Sequence, residues 1–100
     1  MPENPIQELE ERFAYLKYVG HIAVMTGKLR EAVSLEGVKT ISHLLFKLDK
    51  TYPGLREVFM PPGGVFNSRT AIILRRPGQC SFSIVNEEEP IRDGDLLTLW

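Results

Sequence analysis

The sequence predicts an α+β fold: a mixed sheet of four to five strands with one main helix packed on one face. Three observations predict it. Two runs with strand character come first, one long run with the period of a helix follows, and shorter strand runs close the chain. Residues 13–100 are read as this single domain and residues 1–12 as an N-terminal extension.

In the extension, Asn4 can cap a helix, Pro5 suits its first position, and Gln7 stands three residues after Asn4. Ile6, Leu9 and Phe13 then share one face at i, i+3 and i+7. A short helix and a frayed leader both fit, because helices this short are marginal alone. Residues 13–19, "FAYLKYV", are rich in aromatic and β-branched residues and stop at Gly20, as a strand does. Alternation puts Ala14, Leu16 and Tyr18 on one face and Tyr15, Lys17 and Val19 on the other. "HIAVMTG" reads as a short helical turn closed by Gly27, and residues 29–35 as a second strand ended by Gly37, giving an antiparallel hairpin.

The period then changes. Ile41, Leu44, Leu45, Leu48 and Tyr52 fall at i, i+3, i+4, i+7 and i+11, the stripe of an amphipathic helix. Thr40 is placed to cap it and Pro53-Gly54 to stop it. Residues 55–60 can add one more turn before "PPGG" at 61–64, a loop. Residues 70–74 form a β-rich run that ends in the turn signal Arg75-Arg76-Pro77-Gly78. Residues 80–85 alternate as a short strand, residues 86–90 form an acidic loop, "RDGD" turns, and residues 96–100 make the last strand. In that strand Leu97 and Leu99 face the helix while Leu96, Thr98 and Trp100 face outward. Hairpin, crossover helix and a further strand pair make the β-grasp arrangement, the fold of ubiquitin.

One hundred residues make one compact domain. A net charge of −1 offers no overall field for nucleic acid or an anionic membrane, and the apolar runs are too short to span a bilayer. The acidic start lacks the apolar stretch of a signal peptide, so a cytoplasmic location is expected. Cys80 is the sole cysteine, which excludes an internal disulfide and any thiolate-built zinc or iron–sulfur site. It reads as a small apolar filler of its strand, with Arg75 and Arg76 across a turn as a source of some positive charge. His21 and His43 lack partners at metal-ligand spacing, and His43 falls beside the apolar stripe, toward solvent. Glu87-Glu88-Glu89 reads as a solvated loop, and neither Gly63-Gly64 nor Pro77-Gly78 matches a phosphate-binding spacing. No nucleophile–base pair can be assembled. The chain is expected to be no enzyme, with no cofactor and no metal.

Three phrases in order give a resemblance: "LKYVGHIAVMTG" at 16–27, "TISHLLFKLDKTYPGLREVF" at 40–59 and "EEPIRDGDLLTL" at 88–99. Together they resemble the MoaD/ThiS family of ubiquitin-like sulfur carriers, over roughly residues 14–100. The long segment between Tyr52 and Thr70 is more similar to the molybdopterin-synthase carriers and the cysteine-forming carriers than to the shorter thiamin carriers. The hairpin after Thr70 departs from the family, with Leu-Arg-Arg-Pro-Gly where carriers often have Val-Asn-Gly. The resemblance implies a protein cosubstrate whose partners are an E1-like adenylating enzyme and a sulfur acceptor such as a molybdopterin-synthase large subunit. It also implies a flexible Gly-Gly tail whose carboxylate becomes a thiocarboxylate; this chain stops at Trp100, so the tail is expected to be missing. A naturally tail-less structural or regulatory subunit is the alternative, and a ubiquitin-like modifier is a third reading with the same tail requirement. By the same resemblance Trp100, Val19 and Tyr15 are the candidate partner-binding residues, unless the leader folds back over them.

Overall fold

The computed structural model describes residues 12–60 and 69–100. β1 (Phe13–Tyr18), α1 (His21–Thr26) and β2 (Arg30–Ser34) are followed by α2 (Ile41–Thr51) and α3 (Leu55–Phe59). Three strands close the chain: β3 (Ile72–Arg75), β4 (Phe82–Ser83) and β5 (Leu96–Leu99). Their order in the sheet is β2-β1-β5-β3-β4. β1 and β5 run parallel, and every other pairing is antiparallel. This is the expected mixed sheet, and the β-grasp reading stands. Of the extension only Arg12 is described; residues 1–11, with the expected short helix, and the Gly63-Gly64 loop lie outside the described residues.

The sheet has one dry face because its strands alternate. Ala14, Leu16 and Tyr18 of β1, and Leu97 and Leu99 of β5, are all buried, as alternation requires. They pack with Ile41, Leu44, Leu45 and Leu48, the apolar stripe of α2. Thr40 caps that helix by accepting the His43 N–H, and Pro53-Gly54 ends it, Gly54 standing at φ 94° where a side chain would be strained.

The acidic loop is more than a solvated segment. The Glu89 and Glu87 carbonyls accept the N–H groups of Ile41 (2.9 Å) and Ser42 (2.8 Å), two donors that the first turn of α2 cannot satisfy internally. The loop is therefore tied to the helix through its backbone, whatever its side chains do. Other departures concern strand ends. β2 is shorter than residues 29–35, leaving Leu29 exposed, and β3 is displaced by one to two residues from 70–74. β4 keeps only Phe82 and Ser83 of the expected residues 80–85, as an edge strand whose pairing extends to Ile84 N–H on the Ile72 carbonyl. Cys80 precedes it and is exposed, so it is no core filler.

The "RDGD" turn joins distant parts of the chain. Asp93 Oδ1 accepts the Phe13 N–H (2.9 Å), the Phe13 carbonyl accepts the Gly94 N–H (2.9 Å), and the Asp95 carbonyl accepts the Tyr15 N–H (2.9 Å). Asp95 is buried; its Oδ2 accepts the Arg92 N–H (2.8 Å) and its Oδ1 lies 3.3 Å from Arg76 Nε. Arg76 thus turns inward instead of toward Cys80, and also donates to the Pro90 carbonyl (2.6 Å). Removing one partner of a buried ion pair strands the other charge, at a cost of about 3 kcal/mol. Asp95→Ala is therefore expected to lower unfolding stability by about that amount in urea titration, against an expected change within about 0.5 kcal/mol for the exposed Glu88→Ala.

Candidate functional site: the outer face of the sheet

The face of the sheet turned away from α2 is built by the complementary alternation. Tyr15, Lys17 and Val19 rise from β1 and the residue after it; Leu96 and Thr98 rise from β5, and Trp100 follows directly after its last residue. Register arranges them in rows. Tyr15 stands opposite Leu96, which stands opposite Arg75. Lys17 stands opposite Thr98, which stands opposite Ile73. In the last row the Val19 N–H reaches the Leu99 carbonyl (3.0 Å), and Trp100 exchanges both backbone hydrogen bonds with Ala71 (2.7 and 3.0 Å).

Large apolar side chains stand uncovered here. Tyr15 is 49% exposed, Val19 38%, Leu96 39% and Trp100 52%. The three expected residues do share this face, but they do not form one cluster. Val19 borders Trp100, whereas Tyr15 pairs with Leu96, four residues and so about 13 Å along β5 from Trp100. The face has two apolar spots with Lys17 and Thr98 between them. Leu96 belongs to the site beside Tyr15. Its outward direction is readable from alternation, but its partner is set by the parallel β1–β5 register, which no local pattern reveals. A shallow groove of about 530 Å³ runs over the first spot, lined by Tyr15, Lys17, Arg30, Ala32 and Leu96 among others. Apolar spots among cations can dock a partner protein.

A further cluster of ionisable groups is centred on Glu31, whose position in β2 alternates with the outward Arg30 and Ala32. Glu31 Oε1 accepts from the phenols of Tyr18 (2.8 Å) and Tyr52 (2.8 Å), and Glu31 Oε2 pairs with Lys28 (3.2 Å). Burial pushes the Tyr18 phenol well above its ordinary range, and the Glu31 carboxylate reinforces the shift, so Tyr18 remains a donor. For Glu31, burial alone would raise the carboxyl; the two phenols and Lys28 outweigh it and hold the group below its usual range. This clasp ties β1, β2 and the end of α2 together. His43 is exposed, and its Nδ1 accepts the Lys39 N–H (3.1 Å). Among the described residues no group of three or more His, Cys, Asp or Glu is placed to hold a metal ion, and no helix is long and apolar enough to cross a membrane.

No protein-family model matches the chain, and no curated protein does. Solved structures do. Small archaeal modifier protein 1 (SAMP1) of Haloferax volcanii is 22% identical, with a TM-score of 0.64 over 88% of this chain and 92% of that one. SAMP1 of Methanosarcina acetivorans is 15% identical, with a TM-score of 0.66 over 90% and 92%. A Pyrococcus furiosus protein assigned as molybdopterin converting factor, subunit 1, is 17% identical, with a TM-score of 0.63 over 88% and 94%. At these identities the likeness establishes the ubiquitin-like β-grasp fold.

The Glu31 clasp predicts a pH dependence. A carboxyl held below its unfolded value of about 4.3 stabilises the fold above that pH and loses its contribution as pH falls through the folded value. Glu31→Gln should cost about 2 kcal/mol at neutral pH, and the difference from wild type should shrink below about pH 4 in urea titrations. A difference independent of pH would show that the charge of Glu31 is not what holds the two phenols.

Proposed function

We propose that the chain is a ubiquitin-like protein carrier, a sulfur carrier of the MoaD type, that docks through the outer face of its sheet and acts as cosubstrate or small subunit. The observation that carries this reading is the course of β5. This inner strand brings the chain to Trp100 at the rim of an uncovered apolar face, so a tail following Trp100 would leave beside the docking surface. Tyr15, Val19 and Trp100, joined by Leu96, would seat the partner, with Lys17 and Arg30 fixing its orientation. The partners on this reading are an E1-like adenylating enzyme and a sulfur acceptor such as a molybdopterin-synthase large subunit. The chemistry belongs to the tail. ATP would convert its terminal glycine carboxylate to an acyl adenylate with release of pyrophosphate, and a sulfide-level nucleophile (HS⁻) would then attack the acyl carbon, displacing AMP and leaving a thiocarboxylate.

A second reading has specific support in the names of the Haloferax and Methanosarcina neighbours. The chain would be a protein modifier, sharing the adenylation step but ending in an amide bond to an amine of a target protein. A tail-less subunit with a structural or regulatory role is supported by none of the proteins named above.

Intact mass of the protein isolated from its own cells separates these readings. The carrier reading expects a product that continues past Trp100 into Gly-Gly, with a fraction heavier by the exchange of one oxygen for sulfur. Covalent adducts on other proteins would mark the modifier, and a native product ending at Trp100 would contradict both. For the docking face, the pair Tyr15→Ala and Trp100→Ala should weaken binding to the adenylating enzyme about tenfold or more in calorimetry. Unchanged affinity would remove the sheet face from that role.

A further inference from the structure

A second hollow, of about 340 Å³, lies against α2 on the far side of the molecule from Trp100. Three cationic side chains line it, Lys47, Lys50 and Arg56, against a single carboxylate, Glu36, in a chain whose net charge is −1. An aromatic ring stands in it: Phe46 is 58% exposed, with Lys50 Nζ 5.0 Å from its centroid. The buried Nε of Arg56 has no hydrogen-bond partner among the described residues. A basic hollow with an uncovered ring calls for an acidic segment that also carries apolar residues.

The chain holds such a segment, and it starts at this spot. Leu35 donates its N–H to the Arg12 carbonyl (2.8 Å), and the Arg12 guanidinium donates to the Leu35 carbonyl (3.1 Å). Antiparallel pairing thus sets Arg12, the residue to which 1–11 are joined, beside Leu35, whose chain neighbour Glu36 lines the hollow. Lys47 already reaches the neighbouring Ser34 carbonyl (2.6 Å), so the basic face begins within a residue or two of Arg12. Residues 3–11, "ENPIQELEE", contain Glu3, Glu8, Glu10 and Glu11 with Ile6 and Leu9, and no cation. Nine residues reach at most about 30 Å, enough to cross a face two to three helical turns long.

We propose that residues 3–11 dock in cis on the basic face of α2, setting their carboxylates against Lys47, Lys50 and Arg56 and an apolar side chain against Phe46. Exposed ion pairs are individually weak, but attachment at Arg12 supplies an effective concentration on the order of millimolar. Docking is therefore salt-sensitive, and it covers Phe46 while leaving Tyr15, Val19 and Trp100 open to a partner. This assignment does not rest on the carrier reading.

The test uses the full chain with Gln7→Cys and Cys80→Ser, which keeps all four carboxylates and leaves one thiol for a nitroxide. Amide signals of Phe46, Lys47 and Lys50 should lose intensity relative to the reduced label. They should regain it with the exposed-site change Lys50→Glu, or in roughly 1 M salt, where the screening length is about 3 Å. Loss centred on Val19 and Trp100 would place the segment on the sheet face and overturn the proposal. So would the absence of any localised loss, or a loss that grows with protein concentration, which would assign the hollow to a second copy.

Discussion

The parallel pairing of β1 with β5 is the contact on which the rest of the structure depends, because it joins two assemblies that otherwise share few strand contacts. β1 and β2 form one hairpin near the start of the described chain; β3, β4 and β5 form the other half of the sheet. Their single junction pairs residues 15–18 with 96–99. Bringing such distant segments together costs loop-closure entropy, since no hairpin turn joins β1 to β5. The "RDGD" turn meets that cost with three hydrogen bonds to the start of β1, and with a buried Asp95 that engages Arg76 from the end of β3. A turn that would be ordinary elsewhere becomes the lock of the fold.

The same junction creates the two unlike faces of the sheet. Its register aligns Leu16 with Leu97 and Tyr18 with Leu99 on the dry side, where α2 closes the core. It then leaves Tyr15 beside Leu96 and Val19 beside Trp100 on the open side, a consequence of alternation along two central strands. On the reading proposed above, a partner meeting this face would find positions already set by paired inner strands and would lose little affinity to ordering them. Charge divides the molecule as well: Lys17 and Arg30 flank one apolar spot of the open face, while Lys47, Lys50 and Arg56 gather on the helix side.

Features with a short-range cause were legible in the sequence. The apolar stripe Ile41–Leu44–Leu45–Leu48, the Thr40 cap and the Pro53-Gly54 stop each act within a few residues, and the helix forms where they place it. Alternation correctly assigned Leu97 and Leu99 inward and Trp100 outward. What was not legible depends on partners far along the chain. Arg76 looked like part of a turn because nothing local shows that it will meet Asp95. The acidic loop looked solvated because its carbonyls, not its side chains, serve the first turn of α2. Cys80 looked buried by pattern, but the strand it was assigned to is cut to two edge residues. Tyr15 and Trp100 were placed on the right face, yet only the β1–β5 register shows that Lys17 and Thr98 separate them.

Native-state hydrogen exchange, resolved by residue, tests the central role of the β1–β5 junction most directly. The amides of Tyr15, Gly94 and Val19 bridge the two halves of the sheet and should exchange only through global unfolding, while Ile84 on the β4 edge should exchange through local opening at much lower free energy. The reverse order, with Ile84 protected and Tyr15 and Val19 opening locally, would contradict the account.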